Sequence, residues 1–193
     1  MGKRIVIING HPDPSPKRLC AALADAYARG ASAAGHEVKR IDIGTLKFDL
    51  IRSAADFMSL DLAPDISQAQ ETISWAEHMV IVHPLWLGTA PALMKGFFEQ
   101  VFRYGYALSE PEKPLISLLT GRSARLIVTM GMPATAFRLL FGAHGVKSFE
   151  RGILWITGVR PARHTFFGGV SDKAAKKIPG WLKTVEALGA TAT

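Results

Sequence analysis

Residues 78–102 read HMVIVHPLWLGTAPALMKGFFEQVF, three kinds of segment in a row. His78 to His83 is a near-continuous β-branched run, the pattern of a strand buried on both faces. Pro84 to Pro91 is a loop without a charge, punctuated by Gly88 and carrying Trp86. Pro91 is well placed to open a helix, because its fixed φ suits the first turn and its missing N–H costs nothing there. The buried stripe of that helix reads Leu93, Phe97, Val101 and Phe102, with Glu99 and Arg103 at i,i+4 on the exposed side.

The same order of segments recurs on either side. Arg4 to Asn9 (RIVIIN) and Arg125 to Met130 (RLIVTM) are further apolar runs, each ending at Gly, Pro or both and followed by a helical pattern. Glu37 to Ile43 alternates and reads as an edge strand, and Pro161 to Phe167 as a fifth strand. Helices are predicted from Pro16 to about Gly35, briefly near Ala54 to Leu60, and up to Ala76 from a cap at Asp65 or Ser67. Others are predicted over Ala134 to Gly142, Lys147 to Thr157 and Asp172 to Leu188, the last bent at Pro179. Strands alternating with helices imply an α/β fold of three layers: a five-stranded parallel sheet between two layers of helix. The expected strand order is 2-1-3-4-5, which puts ligands outside the carboxyl ends of strands 1, 3 and 4.

Composition sets the bounds. With 193 residues the expectation is a single domain over the whole chain, and 48% apolar against 20% charged residues is globular rather than disordered. A lone cysteine, Cys20, excludes an intramolecular disulfide and fits a reducing, cytoplasmic setting. The apolar run at the N-terminus is too short for a signal peptide. Met79 to Met94 carries no Lys, Arg, Asp or Glu, but at 16 residues with two prolines and a glycine it does not fit a membrane span. The net charge of +7 attracts anions, yet the basic residues are scattered, which argues against nucleic acid as a partner.

Three loops should meet at the switch point: GHPDPSPKRL (10–19), HPLWLGTAP (83–91) and MGMPATAF (130–137). The first leads to a helix start, a ready phosphate site to which Ser15 adds a hydroxyl and Lys17 or Arg18 a charge. It is also readable as an ordinary cap, Ser15 before Pro16. The second offers apolar side chains and free amides to a flat aromatic ligand. In the third, Gly131 lets backbone approach a ligand, and Met130 and Met132 pack adaptably against rings. His11 and His144 are the nearest histidines. Neither GxxxxGK[ST] nor GxGxxG is present, so the P-loop and the dinucleotide fingerprint are excluded. Cys20 lacks the following arginine of a Cys-x5-Arg phosphatase loop, Asn9 replaces the acidic strand end of a response regulator, and no Gly-x-Ser-x-Gly elbow is found. No HExxH or Cys/His cluster marks a metal site.

On these residues the chain resembles the flavodoxin-like NAD(P)H:quinone oxidoreductases. Residues 83–102 are similar to that family's P-L-x-W-x-x-x-P-A-x-L-K-G-W-x-[DE]-x-V-F in both prolines, a tryptophan between them, Lys95-Gly96, Glu99 and Val101-Phe102. His11-Pro12, Val128 to Gly131 and Gly142-Ala-His-Gly145 resemble further family segments. The resemblance implies a flavin, with NAD(P)H as hydride donor and a quinone or similar acceptor; the short chain favours FMN, with FAD the alternative. It implies that His11, Ser15, Lys17 and Arg18 lie along the phosphate and ribityl chain. Pro84, Leu85, Trp86 and Leu87 would line the flavin ring, and Thr129, Met130 and Gly131 its pyrimidine end. His144 would stand near the hydride acceptor. Leu108 occupies a place where the family often has a pocket aromatic, which makes nearby Tyr106 the second catalytic candidate. The sequence departs from the family where Ser15-Pro16-Lys17-Arg18 replaces Ser-Phe-Asn, where Gly131-Met132 replaces Gly-Gly, and at Phe137, near a common flavin-contacting Tyr. The resemblance also implies a homodimer. Two other readings compete: an ancillary, flavin-binding subunit of a membrane efflux system, and a one-electron flavodoxin, which the basic charge disfavours.

Overall fold

A computed structural model describes residues 2–193. Its elements run β1 (Arg4–Asn9), α1 (Leu19–Ala33), β2 (Glu37–Asp42), α2 (Ala54–Met58), α3 (Pro64–Trp75), β3 (His78–Pro84) and α4 (Ala92–Val101). They continue through β4 (Ser123–Met130), α5 (Ala134–Leu139), α6 (His144–Phe149), β5 (Ala162–Gly168) and α7 (Ile178–Thr191). The five strands form one parallel sheet in the expected order, β2-β1-β3-β4-β5.

The apolar runs explain the layers. Ile5 to Ile8 are wholly buried, and successive side chains point to opposite faces. Ile5 and Ile7 join Leu23, Tyr27 and Val185 under α1 and α7. Val6 and Ile8 join Ile66, Phe97, Phe98 and Phe149 under α3, α4 and α6. Each buried isoleucine contributes roughly 1.5–3 kcal/mol of transfer free energy, so β1 anchors both layers.

Several element ends depart from the sequence reading. Helix α1 starts at Leu19 rather than Pro16, because Pro12, Pro14 and Pro16 keep the chain in turns up to Arg18. Pro91 is the cap residue of α4, and the helix proper begins at Ala92. Helix α3 is capped by Ala63 with Pro64 in its first turn, not by Asp65 or Ser67; the Asp65 carboxylate accepts the Lys47 amide at 2.7 Å instead. The segment expected to be helical over 147–157 begins at His144, and from Glu150 to Trp155 it winds as a π-helix. The expected Glu99–Arg103 pair is absent. Glu99 pairs with Lys95, whereas Arg103 turns inward and donates to the carbonyls of Ser59 at 2.8 Å and Asp61 at 3.2 Å.

Candidate active site

The carboxyl ends of β1, β3 and β4 lie side by side. Asn9 stands opposite Val82, and Pro84 opposite Thr129. Backbone bonds carry this register into the loops: Gly10 N–H donates to Val82 O and Leu85 N–H to Thr129 O, both at 2.7 Å. The loops after these strands are therefore fixed at their bases.

The loop after β3 then makes a tight reversal. Trp86 N–H donates to Thr89 O at 2.9 Å, and Thr89 N–H to Trp86 O at 3.0 Å. Between them Leu87 (φ 47°) and Gly88 (φ 83°) are both left-handed, the pattern of a type I′ turn. Glycine takes that conformation freely, but a leucine there costs about 1–2 kcal/mol. Leu87 accepts the strain and still projects fully into solvent. Among the described residues the amides of Leu87 and Gly88 donate no hydrogen bond. Trp86 is half exposed and meets His11 edge to face, with ring centroids 6.0 Å apart.

His11 is held in one orientation. Its Nδ1 faces the Asp13 backbone, 3.0 Å from the amide and 3.1 Å from the carbonyl, which fixes the ring and leaves Nε2 without a partner among the described residues. Partial burial is the main cause of its lowered pKa, opposed by the Asp13 backbone contact and reinforced by Arg18. The neutral form is thus favoured at neutral pH.

A third segment closes on the turn. Gly145, in the first turn of α6, packs so tightly on the Gly88 carbonyl that a Cβ would collide with it, and would lie 2.9 Å from Thr89 Cα. Trp86, Leu87, Pro91, Lys95, Phe149 and Ile153 surround a cavity of about 610 Å3 beside this contact. Its mixture of apolar walls, an exposed indole and free amides suits a flat ring with a polar edge.

The residues expected at the site divide into groups. The structure brings His11, Trp86 and Leu87 together, with Gly131 exposed at the neighbouring strand end. Pro84 and Leu85 form the base of the loop, Pro84 buried and Leu85 packed on the core. Trp86 falls one place before the tryptophan of the motif it resembles, and Leu87 holds that place. Thr129 and Met130 do not present their side chains. Thr129 is buried with Oγ1 3.5 Å from Cys20 Sγ, and Met130 belongs to the core. Ser15 is not the cap of α1: its Oγ accepts the Lys17 amide at 3.4 Å within a turn. Arg18 is engaged in an ion pair with Asp13, while Lys17 makes none among the described residues. His144 is exposed at the start of α6, its ring folded back over Gly142 and its neighbour Gly145 against the turn.

Tyr106 is the clear correction. Its hydroxyl donates to Gln70 O at 2.8 Å and accepts from Ser74 Oγ at 3.2 Å, both in the second half of α3. That helix end leads into the start of β3, so Tyr106 lies at the opposite end of the sheet from its own chain's site. Burial raises its pKa, as expected for a structural phenol.

One residue of the site was missed. His83 is buried directly beneath the loop, where Nδ1 meets the Pro84 carbonyl at 2.9 Å and Phe149 lies 6.4 Å away between ring centroids. Burial pushes its pKa down to about 4, so it is neutral and donates from Nδ1. Its Nε2 has no partner among the described residues. The apolar run of β3 concealed it, because a histidine at a strand end carries no periodic signal.

Known proteins share this framework. The chain is 28% identical over 155 residues to a ribosyldihydronicotinamide dehydrogenase-like protein, traD, of Penicillium crustosum, matching 66% of this chain but only 57% of that protein's length. An uncharacterized NAD(P)H oxidoreductase of Haemophilus influenzae is 25% identical over 183 residues, covering 90% of this chain and 89% of that one. The NAD(P)H:quinone oxidoreductase of Methanothermobacter marburgensis superposes with a TM-score of 0.80 over the full length of both chains at 22% identity. An FMN-dependent NADH-azoreductase of Bacillus anthracis, solved in complex with FMN, superposes with a TM-score of 0.73 over 99% of both chains at 15% identity. Residues 3–188 match the family described as the flavodoxin-like fold, and the chain belongs to that family.

Proposed function

We propose that this protein is a flavin-dependent oxidoreductase that takes hydride from NAD(P)H and delivers it to a quinone or similar acceptor, with FMN as the flavin. The observation that carries the reading is the Trp86–Thr89 turn. It bears a strained, fully exposed leucine and two unpaired amides at the switch point of a parallel sheet, beside an oriented imidazole. Strain of this kind persists where a ligand uses it. The sequence relatives whose names specify NAD(P)H oxidation, and the FMN-bound structural neighbour, support the same chemistry.

The residues present fit FMN. The amides of Leu87 and Gly88 would meet the polar edge of the ring, with Trp86 and Leu87 covering it and Gly131 allowing close approach from β4. The 10–18 loop would hold the phosphate through Lys17 and His11 Nε2, since Arg18 is already paired. FMN bound here would supply the two-electron hydride chemistry. The chain's own part is to stack, orient and exclude water, and His144 would donate or stabilise the proton at the acceptor. No described helix is long and apolar enough to cross a membrane. The reading includes a cytoplasmic setting and a homodimer.

The test is an absorbance spectrum of the purified protein, release and identification of its cofactor, and NADH- and NADPH-driven quinone reduction. Trp86→Ala should weaken FMN binding by up to about tenfold, the upper end of a single aromatic stacking contact. A colourless protein that FMN cannot reconstitute would remove the proposal.

A further inference from the structure

A second cavity, of about 730 Å3, opens on the other face of α6. Gly142 and Ala143 line it, whereas Gly145 lines the aromatic cavity. Val146, Lys147, Glu150 and Arg151 line the second cavity too, whereas Ser148, Phe149, Gly152 and Ile153 face the aromatic cavity, so α6 separates the two and its N-terminal end, Gly142 to Gly145, is the rim over which an extended ligand would pass.

Its charges are unusual for this chain. Arg138, Lys147 and Arg151 all face the cavity, and all are exposed. Several arginines elsewhere are paired: Arg18 with Asp13, Arg29 with Glu186, Arg40 with Asp25 and Asp42. Arg138, Lys147 and Arg151 form no ion pair among the described residues. The cavity's one carboxylate, Glu150, faces His164, with Oε2 3.0 Å from Nε2. Three like charges around one concave surface repel each other and concentrate anions. Two of them are guanidinium forks, which match phosphate oxygens bidentately. Leu139 and Phe166 give the same cavity apolar surface, and its volume lies in the range of nucleotide-sized sites.

We propose that this cavity binds the 2′-phosphoadenosine end of NADPH and makes the protein selective for NADPH over NADH. The inference rests on the oxidoreductase reading, which puts the nicotinamide end in the aromatic cavity. The far end of the dinucleotide then passes over the N-terminal end of α6. The 2′-phosphate meets Arg138, Lys147 and Arg151, and the adenine lies on Leu139. NADH carries the same adenosine without the phosphate, so it leaves the three cations unanswered.

Calorimetric titration of the purified protein with 2′,5′-ADP and with 5′-AMP tests this directly. The 2′-phosphate should tighten binding by about tenfold or more, the size of a single charge-assisted contact or two. The double variant Arg138→Ser/Arg151→Ser should abolish that difference and raise KM for NADPH about tenfold, with turnover on NADH unchanged. Both arginines are exposed, so the variant should fold. Equal affinity for the two nucleotides, or a preference that survives the double substitution, would overturn the proposal. A protein that binds 2′,5′-ADP through these arginines yet oxidises neither NADH nor NADPH would overturn the oxidoreductase reading while upholding the cavity's ligand.

Discussion

Gly145 rests on the carbonyl of Gly88, with no room for a methyl group between the two backbones. This contact joins the start of α6 to the turn after β3, and so ties His144 to the loop that carries Trp86. Gly145→Ala should force the two segments apart. The expected cost is about 1–3 kcal/mol in denaturant unfolding, as for other overpacked sites, together with weaker FMN binding. Unchanged stability and affinity would show that the contact does not fix the loop.

The turn itself can be tested by a pair of substitutions with opposite effects. Leu87→Gly removes a left-handed leucine and should leave stability unchanged or raise it by up to about 1 kcal/mol. Gly88→Ala puts a side chain at φ 83° and should lower stability by about 1 kcal/mol. Thermal or urea melts of the two variants decide the matter. If Leu87→Gly is the more damaging, the strain is not where the backbone places it.

His83 predicts a pH dependence. Its folded pKa, about 4, lies below the ordinary value of 6.5, so between these limits the unfolded chain binds the extra proton. Stability therefore falls as pH drops from 6.5 towards 4, by on the order of 3 kcal/mol over the full range. His78 is depressed to about 4 as well, first by burial and then by Lys3, Arg125, Arg163 and His36, and adds a second step of the same sign. Urea unfolding between pH 6.5 and 5 should show a slope smaller by about one proton in His83→Phe than in the parent protein. An identical slope in both would mean that His83 titrates normally.

His144 should matter to chemistry and not to the fold. It is exposed at the start of α6 and makes no side-chain hydrogen bond among the described residues. His144→Ala should leave melting unchanged and slow flavin reduction or reoxidation by about 10²-fold, the lower range for a lost general acid. Rapid-mixing kinetics with the flavin saturated would read this, and unchanged rates would remove His144 from the mechanism.

Much of this was legible before any coordinates. The runs Ile5–Ile8, Met79–Val82 and Leu126–Val128 specify a sheet buried on both faces, the alternation makes it parallel, and the order is the usual winding of five such strands. Loop chemistry was less legible. Three prolines hid the true start of α1, and apolar side chains at strand ends were readable as ligand contacts. Thr129 and Met130 show why that fails: in a strand the side-chain direction alternates, and both fall on the packed faces. Tyr106 was misplaced because proximity in sequence to a pocket position says nothing about which end of α4 the chain has reached. The His83 support, the Gly145 contact and the basic cavity all depend on segments far apart in sequence, which no local pattern reports.

The most direct test is anaerobic mixing of the FMN-loaded protein with NADPH while the flavin absorbance is followed. The flavin band should bleach with one equivalent of NADPH and return with one equivalent of quinone. A flavin that stays oxidised in excess NADPH, or a chain that holds no flavin at all, would contradict the assignment of the Trp86–Thr89 turn as a hydride-transfer site.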